Sequence, residues 1–271
     1  MKIEQWTMDI EQILPNCPGP ASILEPVAIS AHESCTMKIC AYSVPGTTVG
    51  KRPLKDPRLD AAHKLVEADK RTYAQVDVSA DDGLADADAI VATGDSVLDL
   101  ILQDLEFVET RLGHDPAAGE KAVLQRMQAD LEASRCLSAC AYAEADWAAV
   151  SASNLLTRKP VIVATADEVA HPDALLLRAV AAAGWLSFLT VGGMENRAWL
   201  IRRGTTAWEA GGAIHTDIQK GFIRAEIIGW ADFVAAGGET QAKRAGKLRL
   251  EMKQYVMQDY DLVNFRFNKT G

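Results

Sequence analysis

Short apolar runs separated by polar turns predict a series of strands along the chain. Four of them are MKICAYSV (37–44), YAQVDV (73–78), AIVAT (89–93) and KPVIVATADE (159–168). The last run is β-branched, follows a lysine-proline pair and ends in acidic residues, which is typical of a buried parallel strand. The segment 173–183 predicts a helix that packs over it. Strands that alternate with helices indicate an α/β layer architecture.

The strongest helical pattern follows the third of these strands. Ser96 precedes the first helical residue and Asp99 lies three positions on, which predicts a capping box. Apolar residues then recur at helical spacing in one stripe: Leu98, Ile101, Leu105, Val108 and Leu112. After the break GHDPAAG, the stripe continues with Leu124, Met127 and Leu131. We therefore predict a hairpin of two antiparallel helices within residues 96–150, a shape typical of packing or partner-binding surfaces.

Gly192 and Gly193 mark the predicted start of a C-terminal module. Its predicted strands are NRAWLIRRG, GFIRAEIIGW, KQYVMQD and LVNFRFN, with the last two paired across a turn, and its predicted helix is TTAWEAGGAIH. Four prolines and little periodicity predict an irregular arm at the N-terminus. The predicted organisation is an arm (1–35), an α/β domain that contains the helical hairpin (36–192) and a compact α+β module (193–271).

The composition is that of a globular protein. Of the 271 residues, 48% are hydrophobic and 24% are charged, as in average soluble domains. No window approaches about eighteen uninterrupted apolar residues. The N-terminal sequence MKIEQWTMDIEQ carries acids where a signal peptide needs a basic and then an apolar stretch. We therefore expect a cytoplasmic protein that makes no contact with a membrane.

The net charge of −9 is unevenly distributed. Residues 195–271 contain 12 Lys and Arg against 9 Asp and Glu, a net +3, whereas residues 1–194 hold the remaining 16 against 28, a net −12. A basic module on an acidic body indicates that the C-terminal end is the part that contacts a polyanion. The candidate contacts are Arg202, Arg203, Lys220, Arg224, Lys243, Arg244 and Lys247. Simple solvation of these side chains is the alternative.

Five cysteines are too few for a disulfide framework in a chain of this length, and their number is odd. Cys136 and Cys140 are four residues apart on a predicted helix, where they are small buried residues or, alternatively, a metal-binding pair. His32, Cys35 and Cys40 are close in sequence, but their spacing fits no zinc motif. We therefore predict no metal site.

The segment SVPGTTVGKRPL (43–54) has a superficial likeness to a phosphate-binding loop. Such a loop has the sequence G-x-x-x-x-G-K-[ST] between a strand and a helix, so that backbone N–H groups wrap the phosphates and the hydroxyl holds Mg²⁺. Here Pro45 occupies the first glycine position and Arg52 replaces the hydroxyl residue. The segment therefore predicts a strand, a turn and a second strand. Phosphate binding by Gly50 and Lys51 is the less favoured alternative.

The C-terminal module resembles a known family. It strongly resembles the TGS domain of the YchF (Obg-like) P-loop ATPases, a ubiquitin-like β-grasp module associated with translation factors; the matching runs are RAWLIRRGTTAWEAGGAIHTDIQKGFIRAEI and GKLRLEMKQYVMQDYDLVNFRF. Weaker matches upstream keep the family's order: DPRLDAAHKLVEADKRTYAQV, LILQDLEFVETRL and LLTRKPVIVA. The resemblance implies a P-loop GTPase-like α/β domain with a parallel sheet and a helical hairpin insertion, followed by a β-grasp domain.

The same resemblance implies a degenerate nucleotide site. MKICAYSV resembles the family's first strand, yet it lies almost directly before DPRLD, without room for the phosphate loop and its helix. An ungapped alignment on Tyr73 places Ala80 at the family's metal-binding aspartate, and a methyl group cannot hold a hydrated cation. In the base-recognition motif N-x-x-E, Thr165 replaces the asparagine and Glu168 remains. Phosphoryl transfer depends on the missing groups, so the resemblance implies that hydrolysis is lost and that no catalytic residue remains.

Three functions are compatible with these residues. The favoured one is a non-catalytic binding or scaffold module without a cofactor, which contacts the ribosome or RNA through the TGS domain and a protein partner through the hairpin, but not DNA. The second is a regulator or residual ATPase that binds ATP or GTP with Mg²⁺ near Gly50, Lys51 and Glu168. The third is a pathway-specific protein in which the degenerate pocket holds another small ligand.

Overall fold

The computed structural model of the chain describes residues 36–151 and 153–268. The predicted N-terminal arm, with His32 and Cys35, lies outside the described residues. The strands are β1 (Lys38–Tyr42), β2 (Gly50–Pro53), β3 (Lys70–Thr72), β4 (Gln75–Ser79), β5 (Ala89–Ala92), β6 (Val161–Val163), β7 (Trp185–Thr190), β8 (Glu195–Arg202), β9 (Phe222–Ile228), β10 (Arg249–Glu251) and β11 (Leu262–Phe267). The helices are α1 (Pro57–Leu65), α2 (Gly94–Gly113), α3 (Ala118–Glu132), α4 (Glu144–Ala149), α5 (Ala166–Ala170), α6 (Pro172–Ala182), α7 (Ala207–Ile214), α8 (Thr216–Lys220), α9 (Trp230–Ala236) and α10 (Glu239–Arg244).

The first sheet is mainly parallel and has the strand order β2-β4-β1-β5-β6. β1 is parallel to β4 and β5, β5 is parallel to β6, and β2 is antiparallel to β4 at one edge. Successive residues of β5 point to opposite faces, so Ile90 packs with Leu100 of α2, whereas Val91 lies in the cluster that contains Leu176 of α6. Helices therefore cover both faces, and the predicted α/β architecture is confirmed.

The second sheet is mixed and has the strand order β10-β9-β11-β7-β8-β3. β7 and β8 form an antiparallel hairpin, β9 is antiparallel to β10 and β11, and β11 and β3 run parallel to β7 and β8 respectively. Ala210 of α7 and Ile218 of α8 pack on one face with Phe188 and Phe265. A mixed sheet with α7 and α8 packed on one face is consistent with the β-grasp module that the resemblance implies.

The two sheets share a hydrophobic core. One cluster contains Ile39 and Val91 of the first sheet together with Leu189 and Leu262 of the second. β3, which precedes β4 in the chain, is an edge strand of the second sheet. The predicted boundary at Gly192-Gly193 lies in the turn between β7 and β8, which are two strands of one sheet. The division of the chain into domains stays a prediction.

The predicted helical hairpin is confirmed. α2 ends at Gly113 and α3 begins at Ala118, on either side of the predicted break. Val108, Leu124 and Met127 are fully buried in the cluster that joins the two helices. Among the described helices, none combines the length and the apolarity that crossing a membrane requires.

Two details of this hairpin were predicted incorrectly. α2 begins at Gly94 with Thr93 as its N-cap residue, so Ser96 lies inside the first turn and is not the cap. Its hydroxyl is buried and lies 2.9 Å from the Thr93 hydroxyl. Leu98, assigned to the buried stripe, is 48% exposed. Apolar spacing locates the stripe only approximately, because it does not reveal which neighbours cover its margins.

Two further local predictions were wrong. Cys136 and Cys140 flank a short 3-10 turn instead of lying on an α-helix. The segment KQYVMQD does not form a strand that pairs with β11; it makes one isolated bridge, between Val256 and Thr206. Asp261 stabilises this irregular course because its carboxylate accepts hydrogen bonds from the Gln258 backbone and the Tyr255 hydroxyl, each within 2.9 Å.

Candidate functional site

The carboxyl ends of the parallel strands are the expected location of a ligand, because open α/β sheets bind ligands at that edge. Here β1 continues through a short turn into β2, without a helix between residues 43 and 49. The Ser43 backbone N–H, directly after β1, donates to the Asp81 carboxylate at 2.7 Å. Ser43 has a φ of 50°, a conformation that is uncommon for a residue with a side chain. A carboxylate thus holds the loop in which a phosphate-binding site would need free N–H groups.

The turn after β4 closes tightly against β1. A Cβ atom at Gly83 would lie 1.9 Å from the Ser79 hydroxyl oxygen, so glycine is required at this position. The carbonyl of Ala80, the residue aligned with the family's metal-binding aspartate, accepts a hydrogen bond from the Cys40 thiol at 3.2 Å. Burial, together with the charge of Asp81, raises the pKa of Cys40 to about 11. Cys40 therefore remains a protonated, buried thiol and is not a nucleophile at neutral pH.

Glu168, the remaining residue of the predicted base-recognition motif, is used within its own helix. Thr165 and Glu168 form a reciprocal capping box on α5, with a 3.0 Å bond from the Thr165 N–H to the carboxylate. Arg178 of α6 also donates to this carboxylate. The hydrogen bond from the Thr165 backbone is the main cause of a lowered Glu168 pKa. The sequence contained this signal, because T-x-x-E is itself a capping-box motif.

Gly50 and Lys51 lie far from Glu168. They begin β2 at one edge of the first sheet, whereas Glu168 follows β6 at the other edge. Four inter-strand spacings separate the two edges, a distance of about 19 Å. The structure therefore does not bring the three predicted nucleotide-binding residues together.

A separate cavity of about 340 Å³ lies between the C-terminal end of α1 and the β7–β8 turn. Its lining includes His63, Glu67, Asp69 and Gly193. Asn196 supports this region: its side chain donates to the Val66 carbonyl at 2.6 Å and accepts from the Gly192 N–H at 2.8 Å. The cavity is not at the carboxyl edge of the first sheet. Within residues 36–151 and 153–268, no three His, Cys, Asp or Glu residues are grouped to hold a metal ion.

Most of the predicted polyanion contacts are already engaged in ion pairs. Arg202 also lies over the Trp185 ring, 4.5 Å from its centroid. Arg266, which the sequence analysis did not select, donates two 2.9 Å hydrogen bonds to Glu226 and thereby lowers its pKa. The pairs are Arg202–Asp88 (2.6 Å), Arg224–Glu226 (3.9 Å), Lys243–Glu239 (2.5 Å) and Lys247–Asp232 (3.0 Å).

Arg203, Lys220 and Arg244 are exposed and form no ion pair with another described residue. Arg203 follows β8, and Lys220 ends α8 on the face of the second sheet that carries Phe188. Arg244 ends α10, whose Ala242 packs in the cluster on the opposite face. The candidates therefore lie on both sides of the second sheet.

One cluster between the two parts of the chain was not predicted from the sequence. The Asp56 carboxylate is buried and binds Arg58, whose guanidinium also donates to Asp259 at 2.6 Å. The same guanidinium lies 3.5 Å from the centroid of the buried Tyr260 ring. Trp230 donates from its indole N–H to the Arg58 carbonyl at 3.3 Å. DPRLD is part of a segment that resembles the family, but the residues that its arginine contacts are visible only in the folded structure.

Comparisons with known proteins support the sequence resemblance. A family model named YchF-GTPase_C, described as a protein of unknown function (DUF933), matches residues 185–268. The ribosome-binding ATPase YchF of Bacillus subtilis is 35% identical over 154 residues, which are 57% of this chain and 41% of that protein. The ribosome-binding ATPase YchF of Haemophilus influenzae is 52% identical over 82 residues, which are 30% of this chain and 23% of that protein. The chain thus spans less than half the length of these relatives.

A solved structure supports the fold. The Schizosaccharomyces pombe YchF GTPase superposes with a TM-score of 0.64, and the match covers 85% of this chain and 97% of that chain. The two sequences are 18% identical over this match. At this level of identity, the likeness shows a shared fold.

Proposed function

We propose that this chain is a non-catalytic member of the YchF (Obg-like) ATPase family, which its sequence and fold resemble, and that it acts as a binding or scaffold module in translation. The observation that carries this proposal is the contact between the Ser43 N–H and the Asp81 carboxylate. It places a negative group, followed by Asp82, at the loop where a phosphate would have to be bound. The negative charge of the Asp81 carboxylate would repel a phosphate bound at this loop.

The use of Glu168 supports the same proposal. A base-reading carboxylate must be free to accept hydrogen bonds from a nucleotide base, but this one accepts from Thr165 and Arg178. Releasing it would uncap α5 and leave the guanidinium without its partner. The capping box and the contact with Arg178 are enough to explain why a glutamate occupies position 168.

Thermal unfolding with ATP, ADP, GTP or GDP, each with and without Mg²⁺, is expected to show no ligand-dependent shift. A ligand at a hundred times its dissociation constant would stabilise the native state by about 2.7 kcal/mol, so millimolar nucleotide gives a sensitive measurement. Replacing Glu168 with alanine should lower the melting temperature, since a lost cap costs about 1 kcal/mol. The same replacement should leave the response to nucleotide unchanged.

Lys51→Ala provides the control for the alternative function. If nucleotide binds near Gly50 and Lys51, a Mg²⁺-dependent rise in melting temperature will appear in the wild-type chain and will be lost in this variant. That result would overturn the non-catalytic proposal and favour a nucleotide-binding regulator or residual ATPase.

The proposed partner is the ribosome or its RNA, bound through the C-terminal module. Two relatives of the chain are named ribosome-binding ATPases, and the C-terminal module is the basic part of the chain. Arg203, Lys220 and Arg244 are the best contacts, because their charges are not neutralised by a described acidic neighbour. Lysine and arginine side chains at phosphates supply affinity that is independent of sequence and depends on salt.

Reversing the charges of Arg203, Lys220 and Arg244 to glutamate should weaken binding to ribosomes and to ribosomal RNA. Removing one cation from a phosphate should reduce the slope of log affinity against log salt by about 0.7–0.9, so the slope of the triple variant should be smaller by about 2–3. Co-sedimentation and fluorescence anisotropy over a salt series measure both effects.

Lys64→Glu is the matched control for this triple variant. Lys64 is an exposed cation of α1, outside the C-terminal module. The Lys64→Glu substitution should leave the binding to ribosomes and its salt dependence nearly unchanged. Equal weakening by Lys64→Glu would indicate a general charge effect, and full binding by the triple variant would exclude the proposed contact surface.

A further inference from the structure

α2 has an exposed apolar surface in addition to its buried stripe. Leu98 and Leu102 are one helical turn apart and are 48% and 60% exposed. Ile101 and Val108, by contrast, are buried against the rest of the hairpin. Two adjacent exposed leucines on one helix leave an apolar patch that no other described element covers.

Acidic residues surround this patch. Asp95, Asp99 and Glu106 are exposed and lie three, four or seven residues from Leu102, so they occupy the same arc of the helix. None of these carboxylates forms an ion pair with another described residue. Asp95, Leu98, Asp99, Leu102 and Glu106 are called the α2 outer face below.

The basic residue of α2 does not compensate these charges. Arg111 is the basic residue in the sequence of this helix, and it binds Glu120 of α3 at 2.7 Å. The α2 outer face therefore presents a net negative charge around its two leucines. A partner that binds here removes water from these carboxylates. It therefore has to carry positive charge, which offsets the repulsion between them.

The orientation of α2 places this face away from the first sheet. Gln103 donates to the Tyr42 hydroxyl at 3.0 Å and so points toward β1. Asp104 accepts hydrogen bonds from the Leu156 and Thr157 N–H groups and so points toward the segment that enters β6. Leu98 and Leu102 lie about 100° or more from both residues around the helix, on the side that faces solvent.

We propose that the α2 outer face binds a basic amphipathic segment of a protein partner. Such a segment buries apolar side chains against Leu98 and Leu102 and places lysine or arginine side chains beside the carboxylates, as amphipathic helices do in apolar grooves. RNA is repelled by the same carboxylates. A second copy of this chain would place one acidic face against another. This interaction is independent of nucleotide binding and of the C-terminal basic residues.

The test uses the full chain and a fluorescein-labelled amphipathic peptide built only of leucine and lysine. Fluorescence anisotropy should show saturable binding to the wild-type chain. Leu98→Gln with Leu102→Gln should weaken binding about tenfold or more, because two leucine side chains no longer bury apolar area against the peptide. Glutamine keeps the helix propensity of these exposed positions, so folding is retained.

Charge and position are tested with two further variants. Asp95→Asn, Asp99→Asn and Glu106→Gln together should weaken binding and flatten its dependence on salt. Leu250→Gln on β10 is the matched control, since Leu250 is 56% exposed and lies in the other sheet; it should bind as the wild type does.

Three outcomes would overturn the proposal. If polylysine binds as tightly as the amphipathic peptide, the binding is a non-specific charge effect and does not involve the leucines. Equal affinity in all variants would place the peptide elsewhere on the molecule. A wild-type dimer in sedimentation velocity that becomes monomeric with Leu98→Gln and Leu102→Gln would assign this face to a second copy of the chain.

Discussion

Replacing Arg58 with alanine should lower the free energy of unfolding by about 2–3 kcal/mol. The guanidinium neutralises Asp56, which is buried, and stacks on the buried Tyr260 ring at 3.5 Å. Without it, the Asp56 charge has no cationic partner in a site with little water. This loss of free energy is at or below the smallest values for a broken buried ion pair, because the Arg58 side chain is itself 36% exposed. Chemical denaturation gives this free energy directly, and the melting temperature should fall by roughly 5–10 °C.

Arg111→Ala is the matched control for this prediction. Arg111 and Glu120 form an ion pair of 2.7 Å at the surface of the hairpin, and such exposed pairs contribute about 0–1 kcal/mol. A second control combines Arg58→Ala with Asp56→Asn, which removes the stranded charge and should recover part of the loss. Equal destabilisation by Arg58→Ala and Arg111→Ala would show that the cluster does not stabilise the junction between the two parts of the chain.

Replacing Asp104 with alanine should cost about 3 kcal/mol or more, since each buried donor left without a partner costs about 1–3 kcal/mol. Asp104 is a buried carboxylate on α2. It accepts hydrogen bonds of 2.7 Å from the Leu156 N–H, 2.7 Å from the Thr157 N–H and 2.6 Å from the Thr157 hydroxyl. These contacts attach the hairpin to the segment that enters β6. Glu109→Ala, on the exposed side of the same helix, should change stability by less than about 0.5 kcal/mol.

The cost of Asp104→Ala should also depend on pH. Burial raises the pKa of the Asp104 carboxyl, and the hydrogen bonds from Thr157 and Leu156 oppose this effect only in part. The folded state therefore binds the proton more tightly than the unfolded state, whose pKa is 3.8. The contribution of this proton to stability is complete below the unfolded pKa and is lost as the pH rises through the folded pKa. The difference between wild type and variant should increase as the pH falls from neutral, and a constant difference would contradict the raised pKa.

Several features of the fold were predictable because their signals are local. The hairpin break at GHDPAAG and the apolar run that forms β5 depend on neighbours within a few residues along the chain. β7 was not predicted from the sequence. Its residues WLSFLT are buried at almost every position, and a short, uniformly apolar run does not distinguish a strand from a helix. The start of α2 was misplaced because polar residues at Asp95 and Ser96 concealed its first turn.

The candidate site was predictable only in part. The sequence showed that the groups of a phosphate loop are replaced, at Pro45 and Arg52, but it could not show that Asp81 holds the loop instead. Thr165 and Glu168 fit both a base-recognition motif and a capping box, and the hydrogen bonds of the folded chain support the second interpretation. The basic candidates were chosen by charge alone, and charge does not reveal which cations already have acidic partners.

The family resemblance, the α/β class and the positions of most strands and helices could be predicted from the sequence, because each depends on residues that are close along the chain. Contacts between side chains that are far apart along the chain became visible only in the folded structure. Arg58 and Asp259 are 201 positions apart, and β3 joins the sheet formed mainly by the C-terminal strands. Such contacts form when sheets pack on a common core and depend on the geometry of the whole fold, so no local pattern of apolar and polar residues specifies them.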